Sequence, residues 1–418
     1  MYLLKRLCGD DNMALFDEHG DKKINWKVNL AVLWIGVFFA ASSYTMCVPF
    51  LPVFLLQELH VSEEHLSFWS GIVYSITFLG SAVMAPYWGA WADKVGQRKM
   101  AIRAGFGLVL SYVFTALSQD EYQLLAVRAF TGIISGFVPA SMSLVSSTLP
   151  IHKMGWGMGL MQTALSSGGI LGPLMGGYLS SWFGMRMSFW VSCACLLVAT
   201  TVVIFFVHDI PISEERQKQK IELLSDLRES LKNKGLLFIM TMFFLVQVCV
   251  MILQPLITVY VGQLMGKVDD ATIQMSGVIF SLAGIAGILA APFWGKRGQR
   301  YGYVRTFCFI TLGAGVVNLF QFFTSDVYQF ATVQFIYGLF LAGAIPNINA
   351  NLVEVTDQSV RGKAFGLITS AQMFGGVVGP LLGGALGHVL PTKFVIISAG
   401  VILIGMSAYT YINKVKSA

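Results

Sequence analysis

The chain has 418 residues, of which 55% are hydrophobic and only 12% charged, with a formal net charge of +6. A soluble domain carries about 25% charged residues, so this composition excludes a water-soluble globule. The excess of cations fits the anionic face of a membrane and requires no nucleic acid.

In chain order, residues 1–25 hold Asp10, Asp11, Asp17, Glu18 and Asp21. That is the wrong chemistry for an apolar signal core, and a cytosolic tail is expected. A membrane span needs roughly 20 mostly apolar residues. Twelve such stretches follow, numbered here as spans 1–12: 27–57, 66–90, 98–118, 122–147, 155–182, 186–208, 235–262, 271–295, 303–324, 327–352, 362–387 and 391–413. The predicted organisation is a six-span bundle over 26–208, a linker over 209–234, a second six-span bundle over 235–413 and a short cytosolic tail over 414–418. The 26-residue linker holds 12 charged residues, and Ile221, Leu224, Leu227 and Leu231 share one helical face. It reads as an amphipathic helix on the membrane surface, with a regulatory role as the alternative. With both termini inside, cytosolic segments hold 24 of the 28 Lys and Arg, outer segments hold Arg186, Lys267 and Lys393, and the last, Arg128, lies inside a helix away from both ends. This asymmetry predicts a multi-pass inner-membrane protein with both ends cytosolic.

The two halves are copies. GGILGPLMGG at Gly168–Gly177 returns as GGVVGPLLGG at Gly375–Gly384, with seven of ten residues identical and the prolines 207 apart. SGIVYSITFLGSAVMAPYWG at 70–89 returns 206 residues later as SGVIFSLAGIAGILAAPFWG, with seven identities in twenty. Arg128, Gly132 and Pro139 align with Gln334, Gly338 and Pro346. Two six-span repeats in parallel predict an all-α fold of two pseudo-symmetric bundles around a central cavity, the form of an alternating-access transporter.

Four groups of residues bear on mechanism. At the turn after span 2, Gly89, Asp93, Gly96, Arg98 and Lys99 can form an inner latch, with Asp93 facing a helix terminus of the other half; a solvated turn is the alternative. On spans 5 and 11, Gly172, Pro173, Gly176, Gly379, Pro380 and Gly383 can form sliding seams between the halves, against static close packing. Arg128, costly in lipid, is read as an intramembrane coupling charge or as a buried structural arginine. No Asp or Glu lies deep in any span, so Glu354, near the inner end of span 10, is the one acidic candidate for coupling. Tyr44, Met46, Phe243, Met251, Gln254, Tyr260, Asn347 and Asn351 supply a soft, hydrogen-bonding cargo cavity.

GAWADKVGQRK after span 2, LLAVRAFTG on span 4 and GGILGPLMGG on span 5 resemble motifs of the major facilitator superfamily, in its twelve-helix drug/proton antiporter branch. NWKVNL and the GFVP of span 4 add to the likeness. The resemblance covers about residues 26–413 and is to bacterial multidrug-resistance exporters. It implies alternating access, a cargo site between spans 1, 4, 7 and 10, and proton antiport. The second copy of the loop reads GKRGQRYGYVR, with Gln299 where an acid is expected, so any latch is asymmetric.

The expected activity is efflux of amphipathic, drug-like compounds by a monomer, with protons, lipid and a small amphipathic substrate as partners. A carrier of a defined metabolite, siderophore or lipid is the alternative. An intramembrane enzyme is disfavoured, because all six histidines lie in loops or at helix ends and no HExxH or buried acid pair exists. No GxxxxGK[ST] loop is present, and no metal or cofactor is expected. The six cysteines show no disulfide or metal spacing.

Overall fold

The computed structural model describes residues 25–209, 234–356 and 361–415. Every regular element among them is helical. The predicted amphipathic linker helix and both terminal tails lie outside the described residues.

Span 1 is a broken helix, α1 (Trp26–Cys47) and α2 (Leu51–Gln57), interrupted where Pro49 and Pro52 remove backbone donors. Spans 2 and 3 are α3 (Glu63–Val95) and α4 (Gln97–Leu117). Span 4 is split into α5 (Glu121–Ile134) and α6 (Phe137–Thr148), and spans 5 and 6 are α7 (Met154–Phe183) and α8 (Met185–Phe206). The second half repeats this plan: α9 (Lys234–Met265), α10 (Asp270–Tyr301), α11 (Tyr303–Phe320), a split span 10 of α12 (Val327–Leu341) and α13 (Ala344–Val355), α14 (Arg361–Val389) and α15 (Thr392–Thr410). Eleven spans are long and apolar enough to cross a membrane. Span 5 is also 30 residues long, but its glycines and serines dilute its hydropathy.

The sequence positions these helices by local chemistry. Three acids at helix starts are caps: Asp120, Asp269 and Asp326 accept backbone N–H groups at the starts of spans 4, 8 and 10. Outside the spans, the Lys267 ammonium 2.5 Å away and the amide of Thr272 hold the Asp269 carboxyl below its ordinary value. Gly96 and Gly302, 206 residues apart, adopt φ of +99° and +90° at the turns after spans 2 and 8. Only glycine takes that conformation without strain.

Buried side chains form one core in each half. Leu33, Val37, Phe54 and Leu144 centre the first, and Phe243, Val261, Ile310 and Leu403 the second. Within a bundle the helices are tied by matching bonds. The indole of Trp88 donates to Ile133 O at 2.6 Å, and that of Trp294 donates to Leu339 O at 2.7 Å. Each anchors the half's second span to its fourth, just before the break.

The bundles meet through spans 2 and 11 and through spans 5 and 8. A β-carbon placed on Gly71 would lie 2.5 Å from Pro380 O, and one on Gly277 would lie 2.5 Å from Pro173 O. Ser75 Oγ donates to Val377 O at 2.7 Å, and Ser281 Oγ donates to Ile170 O at 2.6 Å. These two-fold-related contacts seal the end remote from the basic turns. Toward the basic end the same helices part. A β-carbon on Gly89, Gly159, Gly295 or Gly366 meets nothing within 4 Å. The molecule is closed at one end and open at the end that carries the lysine- and arginine-rich turns.

A methyl group cannot enter the closed seam without displacing backbone. Gly71→Ala and Gly277→Ala are each expected to shift the molecule toward the seam-open state, at a cost of about 1–3 kcal/mol to the closed one. Ser67 and Gly387 face each other there, with β-carbon sites 3.1 Å apart. Disulfide trapping of Ser67→Cys with Gly387→Cys should therefore fall severalfold in either alanine variant.

Candidate functional site: a central cavity with one sealed end

Arg128 sits on α5, two turns from the cap at Asp120, and is 2% exposed. It is the one buried charged side chain among the described residues. It faces the interior of its bundle, within electrostatic reach of Tyr44, Tyr74 and Tyr112 from spans 1, 2 and 3. Its backbone carbonyl accepts from Thr77 Oγ1 at 3.2 Å, but Nε and Nη2 find no acceptor in the protein. The expected bonds from these two donors to neighbouring carbonyls are absent, so the hydrogen-bonding capacity of the guanidinium is only partly spent. The aligned Gln334 occupies the matching place and accepts from Gln321 Nε2 at 2.6 Å. The duplication therefore keeps a polar position in both halves and charges only one.

At the basic turn, Asp93 falls in the last turn of α3, and its side chain lies outside the described residues. Gly89 and Lys99 are exposed. In this open state Arg98 bonds within its own bundle: Nη2 donates to Ile204 O at 2.5 Å, and its amide donates to Asp209 Oδ2 at 2.9 Å. Asp209 thus caps α4 from the end of span 6, a role the sequence does not advertise. Arg103 lies 3.5 Å over the Trp88 ring and donates to Ser135 O at 3.2 Å, bracing the break in span 4. With the basic end parted, Arg98 staples spans 3 and 6 together.

The six seam residues divide by face. The carbonyls of Pro173 and Pro380 approach Gly277 and Gly71 of the opposite bundle. Gly172 and Gly176 instead pack on Thr45 and Met46 of span 1, while Gly379 and Gly383 pack on Met251 and Ile252 of span 7. These four glycines are static packing inside one bundle. Backbone meets backbone across the seam at Gly71, Gly177, Gly277 and Gly384, and Gly284, Gly376 and Gly387 meet side chains of the opposite bundle there.

The cavity residues also divide. Phe243 and Tyr260 are each 1% exposed and belong to the second core; Tyr260 packs edge-on to Phe330 at 5.0 Å. Met46, 2% exposed, is core of the first bundle. Asn347 is 1% exposed, and its Nδ2 donates to Gly343 O at 2.8 Å and Trp294 O at 3.3 Å. It is a staple for the break in span 10, beside the half-buried Asn351 in a crevice of about 10 Å³. These four are corrections: burial in a bundle, not exposure to a cavity, fixes them. Tyr44 and Met251 are half-buried. Glu354 is exposed at the basic end of span 10, outside any buried pathway.

Gln254 does line open space. It borders a cavity of about 310 Å³ on spans 7, 8 and 10, with Val250, Phe280, Gln334, Tyr337 and Leu341. Tyr337 is 4% exposed and its hydroxyl has no partner. The sequence singled out only Gln254 of this group. The alignment of Gln334 with Arg128 was the available signal for the rest. Across the molecule, Trp34 Nε1 donates to Thr163 Oγ1 at 3.0 Å, and Trp34 stacks on Phe38 at 5.8 Å, giving spans 1 and 5 an aromatic edge.

A two-fold pair of six-helix bundles, sealed at one end and open at the other, defines a membrane carrier of the alternating-access class. A sequence model of the Major Facilitator Superfamily matches residues 33–269 and 267–416. The chain belongs to the major facilitator superfamily, whose members carry solutes across membranes. It is 33% identical to the multidrug resistance protein MdtG of Salmonella dublin over 389 residues, 92% of this chain and 95% of that protein. The Salmonella typhimurium MdtG is 32% identical over the same lengths. Among solved structures, a bacterial homolog of the lysosomal transporter Spinster, inward-facing and occupied, gives a TM-score of 0.75 at 13% identity, covering 92% of this chain and 95% of that one. The nucleoside transporter NupG gives 0.72 at 14%, covering 92% and 96%. These likenesses establish the fold.

Because two donors of Arg128 make no bond in the protein, replacing it should not cost stability. Arg128→Met is expected to raise or preserve Tm, by up to about 1–3 kcal/mol of relieved desolvation, while abolishing transport. Asn347→Ala should do the reverse, lowering Tm through two lost backbone bonds. Thermal unfolding in detergent beside reconstituted flux distinguishes the two.

Proposed function

We propose that this chain exports amphipathic, largely uncharged, drug-like molecules by alternating access, working as a monomer and driven by proton entry. The carrying observation is the cavity wall. Gln254, Gln334 and Tyr337 offer hydrogen bonds amid apolar side chains, and among the described residues no carboxylate is buried to pair with a cation. A binding site of mixed apolar and neutral polar groups accepts varied shapes and disfavours fixed charge. The MdtG relatives, named for multidrug resistance, support efflux of such compounds.

The positive-inside rule places the basic end in the cytosol, with both termini there, in the inner membrane. The state with that end open then faces the cytosol, where cargo would enter. Return to the outward-facing state would bring the basic turns together, and Asp93 is the residue proposed to latch them. Proton drive is supported by family membership, with Arg128 proposed as the fixed charge in the coupling pathway and Glu354, exposed at the basic end, as the acidic candidate.

Reconstituted flux of several unrelated dyes, with and without an imposed pH gradient, tests the reading. Mutual competition among dyes and collapse of flux with the gradient are expected. Recognition of one compound class alone would favour a carrier of a defined metabolite, siderophore or lipid. Gln254→Ala and Tyr337→Phe should each change relative rates among dyes by roughly 5- to 10-fold, the worth of one neutral hydrogen bond, with Tm unchanged. Asp93→Asn should slow flux without impairing folding; wild-type flux in that variant would remove the latch.

A further inference from the structure

At the sealed end, one imidazole from each bundle meets the other. His65 lies in the first turn of span 2 and His388 in the last turn of span 11, with ring centroids 5.7 Å apart and planes 29° from parallel. His388 Nδ1 is 2.9 Å from the carbonyl oxygen of Glu64, and His65 Nδ1 is 2.9 Å from Ser62 Oγ. Donation to a carbonyl assigns the neutral His388 proton to Nδ1 and leaves its Nε2 to accept another. Phe68 flanks His388 at 6.4 Å. Both histidines are exposed to solvent, so protons reach them from that side.

The surrounding charges are few. Glu63 and Glu64 share the helical turn of His65, and His60 precedes it. Glu58 is already paired with Arg186 at 2.8 Å. On span 4, which packs against span 2, Asp120 caps the helix and Glu121 stands in its first turn. Beyond span 7, Lys267 and Asp269 pair with each other. Span 12 begins with the cation Lys393. Apart from the Glu64 carbonyl on His388, none of the hydrogen bonds or ion pairs described joins these residues to either ring, although the Glu63 and Glu64 side chains moderate the local potential.

We propose that His65 and His388 form a proton-binding site whose double occupancy opens the sealed end. Two neutral rings stack comfortably; two imidazolium ions at this distance repel each other. Opening the seam separates them, so the open state binds more protons than the closed one. By linkage, proton uptake by the pair disfavours the closed seam, which therefore loses its advantage as pH falls. Acid on the far side would thus favour the outward-open state, giving a carrier with no buried acid among its described residues a pH-responsive gate. The inference rests on the alternating-access reading and not on the identity of the cargo.

The test follows conformation in the full-length protein in lipid nanodiscs. Spin labels at Gln119→Cys and Tyr328→Cys, in a background with the six native cysteines replaced, report the separation of the two bundles at that end. Between about pH 8 and about pH 5, the long-distance population should rise roughly three- to fivefold, the scale of a solvent-exposed like-charge pair. The His65→Gln, His388→Gln double variant should show no rise. The His65→Arg, His388→Arg double variant should hold the long-distance population at the higher pH. A wild type indifferent to pH, a glutamine double variant that responds as wild type does, or an arginine double variant that stays closed would each overturn the proposal. Dye flux measured in parallel shows separately whether the efflux reading fails.

Discussion

Backbone touching backbone across the bundle seam is the constraint on which this molecule depends. In lipid the hydrophobic effect gives two helices no reason to associate, so close van der Waals approach and hydrogen bonds must do it. Gly71 and Gly277 permit that approach to the carbonyls of Pro380 and Pro173, and Ser75 and Ser281 add one hydrogen bond each. Because proline lacks an N–H, the helix around Pro173 and Pro380 is already loosened. The contact is made by main chain and small residues, which suits a joint that must close and part in every cycle.

The rest of each bundle is built to keep that joint rigid on either side. Trp88 and Trp294 brace the broken fourth span of each half, and Arg103 and Asn347 hold the breaks from nearby. Asn29 makes reciprocal bonds with the backbone of His208, binding the first span of the bundle to its sixth. Such staples let each six-helix unit move as a body, so that a change at one end of the seam is felt at the other.

The span pattern and the internal duplication were legible in the sequence because both rest on composition and repetition, which survive without geometry. The capping aspartates, such as Asp120 and Asp326, were legible only as outer acids, since capping depends on where a helix begins to within one residue. Faces were harder. GGILGPLMGG presents glycines on every side of span 5, and only the structure tells that Gly172 and Gly176 look inward to span 1 while Gly177 looks across the seam. Tyr260, Phe243 and Asn347 failed as cavity residues for the same reason. In a helix that is apolar all round, periodicity does not say which face is core. His65 and His388 are 323 positions apart, and nothing in the linear sequence pairs them.

The division of labour between seam and wall has an evolutionary reading. What holds the halves together is mostly main chain and small residues, whereas the cavity on spans 7, 8 and 10 is walled by side chains. Substitution at Gln254 or Tyr337 in the course of evolution would therefore reshape that wall and leave the backbone contacts of the seam as they are.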